Sequence, residues 1–287
     1  MDIIYRYDTS ATAVPRSTDT ADAAVRELLA GHARYRRIVA FVEKEVSGGS
    51  SRDEPLVIPS ESQALRFTVG VTPPQTPFAV VLGCSDARAP IERIFDQPPN
   101  ALFVVRVAGN VLGTECLGSI EYAARHLKES VRLLVVLGHS SCGAVTAAVD
   151  SYLSPDDYHA VALSHSLRSL VDRIQIAVRG AAKGLALVGD PDIESNPGYR
   201  AALLETAIYL NAALTAFDVR REILAVGVKT IRVVYGVFDI ADQKVHSLPH
   251  HRGEPEAPLF GDVPRTSEEF STLAQRIAQA VMAQGKI

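Results

Sequence analysis

Pro77-Phe78-Ala79-Val80-Val81-Leu82-Gly83-Cys84-Ser85-Asp86-Ala87-Arg88-Ala89-Pro90 is the stretch on which the fold turns. Its first half, residues 78–82, is a short apolar run without alternation. A strand covered on both faces reads this way. The chain then leaves that strand and at once offers a thiol, a carboxylate and a guanidinium. Because Cys84, Asp86 and Arg88 alternate, an extended backbone would set all three on one side. Asp86 and Arg88 are spaced to form a bidentate ion pair that orients both. Taken alone, the pair reads as a surface salt bridge of little weight, and Cys84 as a small buried hydrophobe.

A second cluster changes that reading. The apolar run 131–137 feeds into Gly138-His139-Ser140-Ser141-Cys142-Gly143-Ala144-Val145. His139 and Cys142 stand three apart at a strand-to-helix turn. Joined by Cys84 from a neighbouring strand end, they make a Cys2His zinc site with one position open, the mark of a catalytic rather than a structural zinc. Zn2+ acidifies a bound water. Two thiolates should acidify it less than three imidazoles would, so activity is expected to rise with pH around or above ~7. Cys142 opens a helix at Gly143, and a helix N-terminus favours thiolate. Two roles are open to Asp86. It can orient the hydroxide through a hydrogen bond, or it can swing onto zinc and close the site. A firm pair with Arg88 keeps it off the metal.

Working outward, further apolar runs at 102–107 and 231–237 match the first two in character. Helical periodicity lies between and around them at 117–127, 144–153, 160–178 and 201–224. Strands alternating with helices predict an α/β fold, a mainly parallel central sheet flanked by helices. Residues 244–248 add an antiparallel edge strand. Both clusters then fall at the carboxyl ends of strands, where open α/β sheets bind ligands. A helical arm is predicted at about 19–46 and a closing amphipathic helix at about 267–282, capped by Thr266 or Ser267 with Glu268 and Glu269 in its first turn. Residues 1–18 read as an extended or mobile arm, and 178–197, with several Gly and Pro, as a surface loop or insertion. The whole chain, 1–287, reads as a single domain.

The 287 residues are 47% hydrophobic, which suffices for a sizeable core. A net charge of −4 argues against nucleic acid or an anionic membrane as partner. No apolar run approaches the roughly 20 residues of a membrane span. The start of the chain lacks the basic and apolar regions of a secretory signal. Three cysteines cannot all pair, which suits a reducing, cytoplasmic setting without a disulfide framework.

The sequence resembles the β-class carbonic anhydrases. The resemblance rests on Gln75-Thr76-Pro77, the segment 83–88, Phe103-Val104-Val105-Arg106-Val107-Ala108-Gly109-Asn110, Ser119-Ile120-Glu121-Tyr122-Ala123, the segment 138–143 and, more weakly, Tyr235-Gly236-Val237-Phe238-Asp239-Ile240. It spans residue 28 to about 248. It implies zinc on Cys84, His139 and Cys142, with Asp86 and Arg88 as a catalytic dyad. It also implies reversible hydration of carbon dioxide to bicarbonate by zinc-bound hydroxide. Gln75, Phe103, Tyr122 and the backbone amide of Gly143 would then contact substrate. A homodimer or dimer of dimers is implied, with the cleft at the subunit interface and some of these residues acting across it. Two rivals stay open at this point: a carbon disulfide or carbonyl sulfide hydrolase on the same fold, and a non-catalytic zinc-binding module.

The chain departs from the family pattern in places. Ala87 replaces a common serine between the dyad residues, and Val107 a common asparagine. Residues 149–197 are longer than usual. No tryptophan is present, so a Trp-dependent bicarbonate-inhibition site is not expected. Arg106 and Asn110 are expected to hold the pocket wall or dimer contacts. Cys116 reads as core. His246, His250 and His251 flank Pro249 and read as a solvated loop rather than a proton relay. His126, His159 and His165 read as surface or satisfied residues.

Overall fold

The computed structural model describes residues 3–6, 18–48, 56–59, 70–154, 156, 164–250, 258–285 and 287. The apolar runs form β3 (Ala79–Gly83), β4 (Leu102–Arg106), β5 (Leu133–His139) and β6 (Arg232–Asp239), all mutually parallel in the order β4-β3-β5-β6. Two short antiparallel strands complete the six-stranded sheet on β6: β7 (Lys244–His246) and β8 (Gly261–Asp262). The antiparallel edge is as expected, though β7 is shorter than the sequence suggested.

Every residue of β3 and β5 is buried because both faces of the sheet are covered. Val80, Leu82, Leu134 and Val136 enter one core with α3 (Thr114–His126), α4 (Gly143–Leu153), α5 (His165–Val188), α6 (Tyr199–Ala225) and α7 (Ser267–Ala283). Ala79, Val81, Leu133 and Val135 enter a second core with α1 (Ala21–Val46) and the short α2 (Ile91–Ile94). Period-2 side-chain geometry sorts each strand between the two. Helix α1 is capped by Thr20, which accepts from the Ala23 amide, and α7 by Thr266, which accepts from the Glu269 amide. By length and composition α6 is apolar enough to cross a membrane, longer than any run the sequence reading credited, but 72% of its most apolar window is buried inside the fold.

One expectation is corrected. Residues 178–188 do not form a loop but continue α5 to Val188. The glycines there serve close packing. A Cβ on Gly184 would stand 2.9 Å from the Ala274 carbonyl oxygen of α7, and one on Gly180 2.8 Å from Leu210 of α6. Within the N-terminal arm, Ile3–Arg6 is extended as β1 and pairs in parallel with β2 (Leu56–Pro59) as a separate two-stranded sheet. His159, His251 and residues 160–163 lie outside the described residues.

Candidate metal centre

Strands β3 and β5 are direct neighbours with Gly83 level with Leu137. Cys84, just past β3, and His139, the last residue of β5, therefore leave the sheet side by side. Ser141 adopts a left-handed φ of 55° and turns the chain, so that Cys142 becomes the N-cap of α4. One ligand atom from each of Cys84, His139 and Cys142 lies within 4.8 Å of the others, and all three residues are buried. A tetrahedral zinc ion with two sulfurs and a nitrogen needs these atoms roughly 3.5–3.8 Å apart, within reach of small rotamer adjustments.

The ring of His139 settles the fit. Its Nδ1–H donates to the Ser140 carbonyl at 2.9 Å. Its Nε2 is buried and has no hydrogen-bond partner. A buried nitrogen without a partner calls for an explanation. Here the second ring nitrogen carries a lone pair beside two sulfurs, the donor set of a thiolate–imidazole cation site.

The electrostatics agree. The Cys142 thiol hydrogen-bonds the Cys84 sulfur and pushes the Cys84 pKa far down, against the cost of burial. His139 and the Gly109 amide, which donates to Cys84 Sγ at 3.3 Å, act the same way. The same hydrogen bond, with burial, pushes Cys142 up, while the first amides of α4 draw it back. Burial works against a charged His139 ring, but the neighbouring Cys84 sulfur and the Ser140 carbonyl outweigh it and raise its pKa. A cation entering this cluster displaces the protons these groups hold.

Asp86 and Arg88 form the expected pair in an unexpected backbone. The segment is not extended. The Asp86 carbonyl accepts from the Ala89 amide, and Asp86 Oδ1 accepts from the Arg88 amide at 2.8 Å, an Asx turn. Cys84 therefore points inward while Arg88 folds back over Asp86. Its Nη2 donates to Oδ2 at 2.7 Å and its Nε to Oδ1 at 3.0 Å. The same Nη2 reaches the Ser141 carbonyl at 3.3 Å and ties the two ligand loops together. These hydrogen bonds, with Arg88's charge, hold the Asp86 carboxyl well below the usual carboxylate range. Its Oδ2 lies 3.9 Å from His139 Nε2.

Arg106 was expected at the pocket wall or a dimer contact; the bracing by Asn211 and by Ser140 with Asp239 was not foreseen in the sequence. Arg106, at the end of β4, donates to the carbonyls of Cys84, Asp86 and Ala89. Gly109 takes a left-handed φ of 67°, and a Cβ there would stand 3.0 Å from the Cβ of Ala144. Its carbonyl accepts from the buried Asn211 side chain at 2.9 Å. Ser140 Oγ donates to Asp239 at 3.1 Å and accepts from the Ile240 amide, bracing the loop that carries His139. The one available signal was a lone Asn in an apolar helical run, Leu210-Asn211-Ala212.

The proposed substrate contacts divide. Gly143 adjoins Cys142 at the start of α4 and is exposed. Gln75 lies at the other end of β3. The Thr76 amide and the Pro74 carbonyl are hydrogen-bonded to Asn100, just before β4. The five residues of β3 place Gln75 roughly 17 Å or more from Cys84. Phe103 sits level with Val80, and its ring centroid is 6.3 Å from that of the exposed Tyr122. One chain therefore does not bring Gln75, Phe103 and Tyr122 to its own metal centre.

Two minor readings need adjustment. His246 is buried in β7, not in a solvated loop, because pairing with β6 covers it; it is bonded to Asp242 at 2.9 Å and stacked on His250. Cys116, in the first turn of α3, is only half-buried. His126 and His165 are exposed, as expected.

The carbonic anhydrase family model matches residues 79–245. A carbonic anhydrase of Mycolicibacterium smegmatis is 35% identical over 195 residues, 66% of this chain and 83% of that one. Carbonic anhydrase 2 of Mycobacterium tuberculosis is 41% identical over 133 residues, 45% of this chain and 59% of that one. Among solved structures, one of the tetrameric β-carbonic anhydrases of the filamentous ascomycete Sordaria macrospora is 24% identical, covering 60% of this chain and 80% of its own, with a TM-score of 0.44. The family match opens on the strand that delivers Cys84 and runs through His139 and Cys142 to β7: the chain belongs to the carbonic anhydrase family.

Proposed function

We propose that this protein reversibly hydrates carbon dioxide to bicarbonate and a proton at a zinc ion held by Cys84, His139 and Cys142. The observation that carries the proposal is the buried, partnerless Nε2 of His139 beside two cysteine sulfurs. Zinc there would supply Lewis acidity, bringing the pKa of a coordinated water toward neutrality.

The chain's own residues do the rest. Asp86 stays anionic because Arg88 holds it, so it accepts a hydrogen bond from the attacking O–H and fixes which lone pair faces the substrate. Arg88 keeps that carboxylate oriented and off the metal. The Gly143 N–H, among the first of α4 and so without an intrahelical partner, donates to the oxygen on which negative charge grows. Carbon dioxide is small and apolar, and Val107, Ala108 and the buried Val111, which follow β4 past Cys84, give it apolar walls.

A second copy of the chain completes the site by bringing its Gln75, Phe103 and Tyr122 to the metal centre of the first. Support comes from their separation from Cys84 within one chain, and from the outer edge of β4, which pairs with no strand among the described residues. A reducing, cytoplasmic compartment follows from the same chemistry, since Cys84 and Cys142 must ligate rather than join as a disulfide. Stopped-flow hydration of carbon dioxide, with and without a zinc chelator, tests the reading. Hydration should rise with pH around or above ~7, vanish with chelation and return with zinc. Zinc-loaded protein that leaves carbon dioxide untouched, or that hydrolyses carbon disulfide or carbonyl sulfide instead, would overturn it.

A further inference from the structure

The turn Ala108–Asn110, which follows β4, touches the metal centre through one backbone atom. The Gly109 amide donates to Cys84 Sγ at 3.3 Å. Nothing local obliges it to point there. Gly109 and Asn110 hold consecutive left-handed φ values of 67° and 46°. Such a pair persists only where the surroundings hold it.

Three hydrogen bonds do the holding. The Val107 amide donates to the Gly83 carbonyl at 3.0 Å and carries the β3–β4 pairing to the start of the turn. The Asn110 amide donates to the Val107 carbonyl at 2.9 Å. Asn211 Nδ2, from α6, donates to the Gly109 carbonyl at 2.9 Å. The last two grip one peptide, 109–110, by its N–H and by its C=O. Packing fixes the rest: the space where a Cβ of Gly109 would stand is closed by Ile174 at 2.9 Å and Ala144 at 3.0 Å. With the 109–110 plane clamped, the preceding N–H stays aimed at the sulfur.

Asn211 is 2% exposed, and its neighbours Leu210 and Ala212 are buried with it. A leucine would sit in this helix at no polar cost, whereas a buried amide must find partners. A satisfied core amide would explain Asn211 equally well if its acceptor were any carbonyl. Its acceptor belongs to the residue whose own amide bonds a ligand sulfur.

We propose that Asn211 is a positioning residue for the metal centre. Through the 109–110 peptide it keeps the Gly109 N–H on Cys84 and so weakens that sulfur as an electron donor. The proposal rests on the reading of Cys84, His139 and Cys142 as metal ligands. An N–H on a thiolate draws charge from it, and partners behind a ligand tune the metal. The bond offsets part of the charge that two thiolates bring to the site.

The thiolate-to-cobalt charge-transfer band of the Co2+-loaded protein tests this. Asn211→Leu fills the space without a donor. It should still bind one equivalent of Co2+, and its band should move to longer wavelength, because a sulfur lone pair freed of the N–H rises in energy. In the zinc-loaded form its Gly109 amide proton should exchange about tenfold faster, the worth of one hydrogen bond. Asn211→Ala, which leaves room instead, should move the band the same way. Leu210→Ala opens the core beside Asn211 without removing the bond, so it should lower Tm and leave the band in place. A parent protein with no such band would remove the metal reading and this proposal with it. A parent band that both Asn211 variants leave unmoved, or that Leu210→Ala moves as far, would overturn this proposal alone.

Discussion

The two ends of β3 are built on opposite terms. At its carboxyl end Cys84 is buried, its sulfur hydrogen-bonded by Gly109 and its carbonyl by Arg106. His139 and Cys142 are buried beside it, and Ser140 is tied to Asp239 behind them. At its amino end Gln75 is exposed among prolines, its neighbours Pro74 and Thr76 hydrogen-bonded to Asn100. A single chain thus arranges a candidate metal centre through its own contacts, and on the function proposed above it leaves the substrate side to another copy. Metal binding should belong to the protomer and turnover to the assembly.

The strongest challenge to that division is loss of a ligand. Cys142→Ser should abolish stoichiometric zinc and lower hydration by roughly a thousandfold or more, read by metal analysis and stopped-flow assay. Asp86→Ala should keep its zinc and lose on the order of a hundredfold in kcat/KM, because only the orientation of the nucleophile is lost. Gln75→Ala should also keep its zinc and lose about tenfold, the scale of one polar contact. Mixing Gln75→Ala with the inactive Cys84→Ser chain sharpens the comparison. Reassociated pairs should regain activity if Gln75 acts across the interface, and no recovery would place it elsewhere. Ser140→Ala should release zinc about tenfold faster to a chelator than the parent, since it unties the loop orienting His139.

The smallest effect concerns pH. The folded-state pKa of Asp86 is depressed by Arg88. Its pairing therefore adds stability above the unfolded value near 3.8, and that stability is lost as pH falls toward the folded one. Arg88 is exposed, so the gain is slight. Arg88→Ala should lower Tm by no more than about 2 °C at pH 6, with the difference narrowing only once pH falls below about 3.8 toward the depressed folded value, followed by thermal unfolding.

The same contrast governs what could be read from sequence. The strands were legible because burial on both faces writes an unbroken Val, Ile and Leu run. The three ligands were legible because thiols and an imidazole at strand ends have few other uses. What was hidden is the non-local support. Asn211 reaches Gly109 across 102 positions, and Ser140 reaches Asp239 across 99. No local pattern announces such bonds. The α5 continuation was hidden for a related reason: Gly180 and Gly184 look like breakers until α6 and α7 pack against them. The alternation of Cys84, Asp86 and Arg88 misled because the Asp86 side chain caps its own turn and overrides the extended backbone.

X-ray absorption at the zinc edge of the purified protein addresses the metal centre without passing through activity. Two sulfurs at about 2.3 Å, one imidazole nitrogen near 2.0 Å and one further light atom are predicted. A shell of oxygen and nitrogen only, or zinc that stays bound with this signature after Cys84 and Cys142 are both replaced by serine, would contradict the account.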